Sequence, residues 1–143
     1  MQRTLAFVAA LAVCPAAAAP SLNCKDPQSN LEMKMCAQQD FERADVELNQ
    51  VYAGALAAAR QQNQILRDGA GYENAPDSEV LLRKAQRAWL AFRDANCAYE
   101  YQLYYGGSHA SLAYSLCKVA MTKARVAALK AQTHPDEESK PQP

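Results

Sequence analysis

Apolar positions along this chain recur every three or four residues and rarely alternate, so the pattern predicts helices and no sheet. The first predicted helix carries Leu31, Met35, Phe41, Ala44, Leu48, Val51, Tyr52, Ala55 and Ala59 on one face and Glu42, Arg43, Glu47 and Gln50 on the other. Ser29-Asn30-Leu31-Glu32 has the form of a capping box, the Ser29 hydroxyl taking the Glu32 amide while the Glu32 carboxylate reaches back. This helix is expected to end near Arg60. Residues 61–76 then read as a loop, with a frayed helical start as the alternative for its first residues, because Asp68-Gly69-Ala70-Gly71 and Asn74-Ala75-Pro76 are turn chemistry. A second helix is expected from Asp77 or Ser78, either of which can cap it. Its apolar stripe is Leu81, Ala85, Ala88, Phe92, Ala95 and Tyr99, beside a more polar stripe of Leu82, Gln86, Trp89, Arg93 and Asn96. Gly106-Gly107 should stop it, since glycine enters the left-handed region cheaply. Ser108 is placed to cap a third helix with Leu112, Leu116, Ala120, Ala124, Ala127 and Ala131 turned inward, ending at His134-Pro135.

The fold expected is all-α, a small bundle of three main helices in which the second and third form a hairpin. The 143 residues fit one domain. Residues 1–19 read as an export signal: Arg3 precedes an apolar run from Leu5 to Val13, and Ala16 to Ala19 supply small residues for cleavage. The run is shorter than the ~20 residues of a spanning helix, so no transmembrane segment is expected. Cys14 lies within it; Val13 is too large for a lipoprotein processing site, so no lipid anchor is expected there. The domain proper is placed at 20–132 and a disordered charged tail at 133–143.

Export gives the remaining cysteines, Cys24, Cys36, Cys97 and Cys117, a meaning: an even number in an oxidising compartment reads as disulfides. Three pairings are possible. Geometry favours Cys97 with Cys117, since they stand about nine and ten residues either side of the glycine turn and so lie nearly level across an antiparallel hairpin. Cys24 and Cys36 then pair, and the segment before Ser29 folds back along the first helix. The expected location is the periplasm or outside the cell. With 15 basic and 15 acidic residues the charges cancel, which argues against nucleic acid as a partner. A monomer is expected.

Catalytic and cofactor chemistry finds little purchase. Cysteine nucleophiles need a free thiolate, and all four are spent. Their spacings do not match zinc pairs, and no haem-attachment motif exists, so neither metal nor cofactor is expected. The two histidines, His109 and His134, stand at a turn and at the tail. Asp45 and Glu47, or Asp94 and Glu100, point to different sides of their helices and do not offer the paired carboxyls of a muramidase. The chain is therefore read as a binding protein and not an enzyme. Two groups stand out. Gln86, Trp89 and Arg93 lie at helical spacing, with Asp45 and Asn49 as candidate partners for the arginine across the helix interface. Tyr99, Tyr101, Tyr104, Tyr105, Ser108 and His109 crowd the hairpin tip, where tyrosine suits either recognition or packing round the disulfide.

The run Ala44-Asp45-Val46-Glu47-Leu48-Asn49-Gln50-Val51-Tyr52 and the run from Gln86 to Cys97, with Trp89, Phe92 and Arg93 within it, resemble the lysozyme inhibitor LprI N-terminal-domain family. Gly106-Gly107-Ser108, Cys117, Thr122, Arg125 and Leu129 extend the likeness, and Cys24 and Cys36 stand where that family has its first two cysteines. The likeness covers about residues 24–131; the longer 61–76 loop and the proline-rich tail depart from it. It implies an exported helical domain, and for some relatives lysozyme inhibition, with no defined set of inhibitory residues. A protein partner, a lysozyme in particular, is the expectation; the alternative is an envelope accessory protein with another periplasmic partner. The cancelled charge fits the alternative, because a cationic lysozyme would be steered best by an acidic surface.

Overall fold

The Ser29 hydroxyl accepts the Glu32 amide at 3.2 Å and starts α1, Asn30–Asp68. The Glu32 carboxylate reaches back one residue further than a capping box requires, to the Gln28 amide. This computed structural model describes residues 22–133 apart from positions 70 and 73. The expected export signal, with Cys14, and the tail from His134 onward lie outside the described residues. Thr133, expected to open the tail, is the last residue of a helix.

The first helix is longer than its pattern predicts: it passes Arg60 and ends at Asp68. Residues 61–68 contain good helix formers, and Asn63 gives them a tertiary anchor. Its amide donates to Asp77 Oδ1 at 2.8 Å, and its carbonyl oxygen accepts the Ser78 amide at 2.7 Å. Asp77 also accepts the Val80 amide at 3.0 Å and so caps α2, Ser78–Leu103. One buried asparagine thus ties the end of α1 to the start of α2. Arg60 repeats the tie on the surface through Glu79.

After α2 the chain turns over residues 104–109 and enters α3, Ala110–Thr133. Gly106 has φ +81°, the left-handed backbone that favours glycine, and a Cβ on Gly107 would press on the Tyr104 carbonyl at 3.2 Å. Ser108 does not cap α3. The first helical bond runs from the Ala113 amide to the His109 carbonyl, and the Ser108 hydroxyl accepts Asn30 Nδ2 from the start of α1.

The three helices form an all-α bundle, with α1 and α3 sharing the broadest contact. Leu48, Ala55, Val126 and Leu129 make the buried centre, and Val51, Tyr52, Leu82 and Trp89 pack round it. Leu48 and Leu129, fully buried, each contribute about 2 kcal/mol by burial. Both disulfides join the cysteines that geometry favours: Cys24 with Cys36 (Cα separation 5.4 Å) and Cys97 with Cys117 (5.5 Å). The second closes a loop of 20 residues, worth about 3 kcal/mol on the chain-entropy account.

The rotation of two helices differs from expectation. On α2 the inward residues are Gln86, Arg93 and Cys97, with Trp89 half-buried, while Leu81, Phe92 and Tyr99 of the apolar stripe face solvent. Cys97 is wholly buried against Cys117, and its bond turns that side of α2 inward. On α3 the inward residues are Leu112, Ser115, Val119, Thr122, Val126 and Leu129; Leu116 and the alanines at 120, 124 and 127 are exposed. Burying valine and leucine side chains gains more than burying alanine methyls. The hydroxyls carried in with them are satisfied, Ser115 on the Ser111 carbonyl and Thr122 on Arg93. Leu31 and Met35, expected on the inner face of α1, are also exposed.

Candidate functional site

Between the helices lies a buried guanidinium. Arg93 Nη1 is 3.4 Å from Asp45 Oδ1 and 3.5 Å from Thr122 Oγ1, and Nε is 2.9 Å from Asp94 Oδ1. The group also lies 5.4 Å from the Phe41 ring centroid and 5.2 Å from that of Trp89. An unpaired charge would be costly there; two carboxylates, a hydroxyl and two ring faces offset the loss of water. Asn49 Nδ2 donates to Asp45 Oδ2 at 3.4 Å, one turn further along α1. Gln86 does not touch Arg93. Its Oε1 accepts Arg125 Nε at 3.0 Å, and Arg125 lies 5.8 Å from the Trp89 centroid, so the indole has a cation near each side of the network. Burial lowers the Arg125 pKa, opposed by Tyr52.

The sequence reading missed Phe41, Asp94, Lys118, Thr122 and Arg125 as members of this cluster. Lys118 stands 4.4 Å from the Phe41 centroid and 3.4 Å from Asp94 Oδ1. Its position beside Cys117 was the available signal, because the disulfide brings that turn of α3 to α2. Arg93 is too enclosed to meet a partner protein; the cluster holds the three helices in register.

Three carboxylates tie stability to acidity. The Val80 amide, then Asn63, hold Asp77 below its usual value. Arg60, then Arg83, do the same for Glu79. Burial pushes Asp94 up, but the Arg93 hydrogen bond and charge, with Lys118, bring it below the usual carboxylate range. Groups depressed in the folded state stabilise it above their unfolded pKa, near 4, and lose that contribution as pH falls through the lower folded values. The melting temperature is therefore expected to be flat from about pH 8 to 5 and to fall below about pH 4. A melt unchanged down to about pH 2 would contradict these couplings.

The hairpin tip is the exposed feature. Tyr101, Tyr104 and Tyr105 are 37, 50 and 71 % exposed. The Tyr101 and Tyr105 rings meet edge to face at 6.1 Å. Tyr99 does not join them: two residues earlier on the helix, it projects to the opposite side of α2 with Phe92. Ser108 and His109 are exposed beside the ring pair, Ser108 tied to Asn30. Successive turn bonds hold the tip, among them the Tyr104 amide to the Tyr101 carbonyl and the Gly107 amide to the Tyr104 carbonyl. With the Cys97–Cys117 bond below it, this is a preorganised aromatic knob, which loses little entropy on binding. Among the described residues no group of three or more His, Cys, Asp or Glu could hold a metal, and no helix is long and apolar enough to cross a membrane.

Comparison with known proteins identifies a family. The family described as Lysozyme inhibitor LprI matches residues 23–129. An uncharacterized protein of Rhizobium meliloti (strain 1021) is 36% identical over 112 residues, 78% of each chain. The uncharacterized protein YecT of Escherichia coli (strain K12) is 40% identical over 67 residues, 46% of this chain and 38% of that protein. No solved structure matches the chain. Since the match takes in both disulfides, the Arg93 cluster and the tyrosine tip, the chain belongs to the lysozyme inhibitor LprI family.

Proposed function

We propose that this chain is an exported binding protein of the periplasm or the extracellular space that inhibits a lysozyme by occluding its cleft with the hairpin tip. The observation that carries the reading is the tip itself: Tyr101, Tyr104 and Tyr105 stand exposed on a turn fastened by a disulfide, on a chain of an inhibitor family. A sugar-binding cleft is concave, and a knob of rigid aromatic rings with hydroxyl edges can fill it at low entropic cost. The two disulfides suit an oxidising compartment, and residues 1–19 would be removed on export. Inhibition of this kind needs no chemistry from the inhibitor. It needs only that the tip outcompete substrate for the cleft.

The test is the lysis of cell-wall suspensions by lysozymes of several types, with and without the protein. Replacing Tyr101, Tyr104 and Tyr105 together with serine is expected to weaken inhibition at least about tenfold, the effect of losing one good anchor, without changing the melting temperature. Wild-type protein that slows no lysozyme at micromolar excess would overturn the reading. Near-zero net charge supports a second reading, an envelope accessory protein with a different periplasmic partner, because it offers a cationic lysozyme no acidic steering. Affinity capture from a periplasmic extract that repeatedly returns one non-lysozyme protein would favour that second reading.

A further inference from the structure

The apolar stripe of α2 lies uncovered among the described residues. Leu81, Phe92 and Tyr99 are 54, 60 and 63 % exposed, and Ala85, Ala88 and Ala95 between them are exposed as well. The steps along this stripe alternate four and three residues, so its positions repeat at sevens, 81, 88 and 95 beside 85, 92 and 99. That is the spacing of a coiled-coil seam, and the surface it fits is another helix. Ala91 and Ala98 flank the seam on its outer side, so a second helix can approach closely there. Lys84 is the one charged residue on that flank, at its N-terminal end.

We propose that this face binds a second copy of the same chain, α2 against α2, antiparallel about a twofold axis. In this register Phe92 of each copy packs on Ala95 of the other, and Tyr99 packs on Ala88. Phe92 and Tyr99 thus each meet an alanine, the self-complementarity a twofold interface demands, while Leu81 lies over the glycine turn of the other copy and Leu103 against the stem of its Lys84. The two Lys84 side chains stand about 28 Å apart along the seam, counted at the helical rise, beyond the range of unscreened repulsion. The area is also adequate. Leu81, Phe92, Tyr99 and the half-exposed Leu103, with the alanines between, offer roughly 600 Å² per copy, or about 1,200 Å² in the pair. As an upper limit that passes the ~1,000 Å² of a specific interface and sits at the low end of the standard size, the class of weak, concentration-dependent pairs. This surface is independent of the lysozyme-directed reading: Tyr101, Tyr104 and Tyr105 stay free, and the antiparallel arrangement carries the two tips to opposite ends of the dimer.

Sedimentation equilibrium of the oxidised protein tests it. The mass is expected to double between about 1 and 300 µM, with a midpoint in the tens of micromolar, as for a small interface. Phe92→Glu should raise the midpoint at least about tenfold with the melting temperature of the dilute protein unchanged, because the site is exposed in the single copy. The same triple serine variant of the tip should dimerise normally. Spin labels on Val80→Cys, exposed and off the seam, should lie about 40 Å apart in the antiparallel pair, from 27 residues of helical rise. A wild-type protein still monomeric at about 500 µM, a dimer indifferent to Phe92→Glu, or labels near 10 Å, the spacing of parallel helices, would each overturn the proposal.

Discussion

Trp89→Ala is expected to cost about 4 kcal/mol of stability and to lower the melting temperature by roughly 15 °C. The indole packs against Leu48, Ala55, Val126 and Leu129 at the centre of the bundle, so its removal opens a cavity where all three helices meet. It also removes a ring face from each of two guanidiniums, Arg93 at 5.2 Å and Arg125 at 5.8 Å. The cavity term is the larger, since cation–π contacts are worth about 1–2 kcal/mol when desolvated and both cations keep other partners. Because Trp89 is the single tryptophan, the melt must be followed by far-ultraviolet circular dichroism and not by tryptophan fluorescence. A loss below about 1 kcal/mol would show that the ring is a surface group with another use.

Arg93→Ala is expected to cost about 3 kcal/mol in urea unfolding. A buried ion pair usually hurts most when one partner is left stranded. Here the carboxylates left behind, Asp45 and Asp94, are 40 and 53 % exposed and can return to water. The loss therefore comes from the guanidinium's packing between Phe41 and Trp89 and from its bond to Thr122, which has no exposure to water. Two comparisons separate these contributions. Asp45→Asn should cost only about 1 kcal/mol, because a half-exposed pair is screened. Arg93→Lys should recover little of the loss, since an ammonium cannot lie flat between two rings while its other donors meet both carboxylates. If Asp45→Asn proved as damaging as Arg93→Ala, charge pairing and not packing would be the source of the stability.

Much of this was legible in the chain. Ser29 and Asp77 cap helices as their side chains suggest, and the cysteine pairing follows from where the glycine turn falls. The approach of Asp45 to Arg93 was legible too, because a large cation among apolar neighbours needs a carboxylate on the facing helix. The extension of α1 through residues 61–68 was not. Turn residues at 68–76 bound that segment on one side only, and its helical state is anchored by Asn63 reaching Asp77, fourteen positions away. Of the tip, the count of tyrosines suggested a surface, yet only the helix path shows that Tyr99 points away from Tyr101 and Tyr105.

The sequence by itself determined the number of helices, the caps that begin two of them, the turn and the disulfides. Those follow from steric and hydrogen-bonding preferences that act within a few residues, or from two cysteines set level by helical rise. Only the tertiary structure decided how α2 and α3 are rotated. Each carries two stripes less than half a turn apart, and hydrophobicity alone favours Phe92 over Arg93. The choice was made by groups on other helices: Cys117 for Cys97, Asp45 and Thr122 for Arg93, Arg125 for Gln86. A polar side chain whose buried polar atoms all find partners, as they do among the described residues, can be buried at little net cost, and the apolar stripe it displaces is left facing outward.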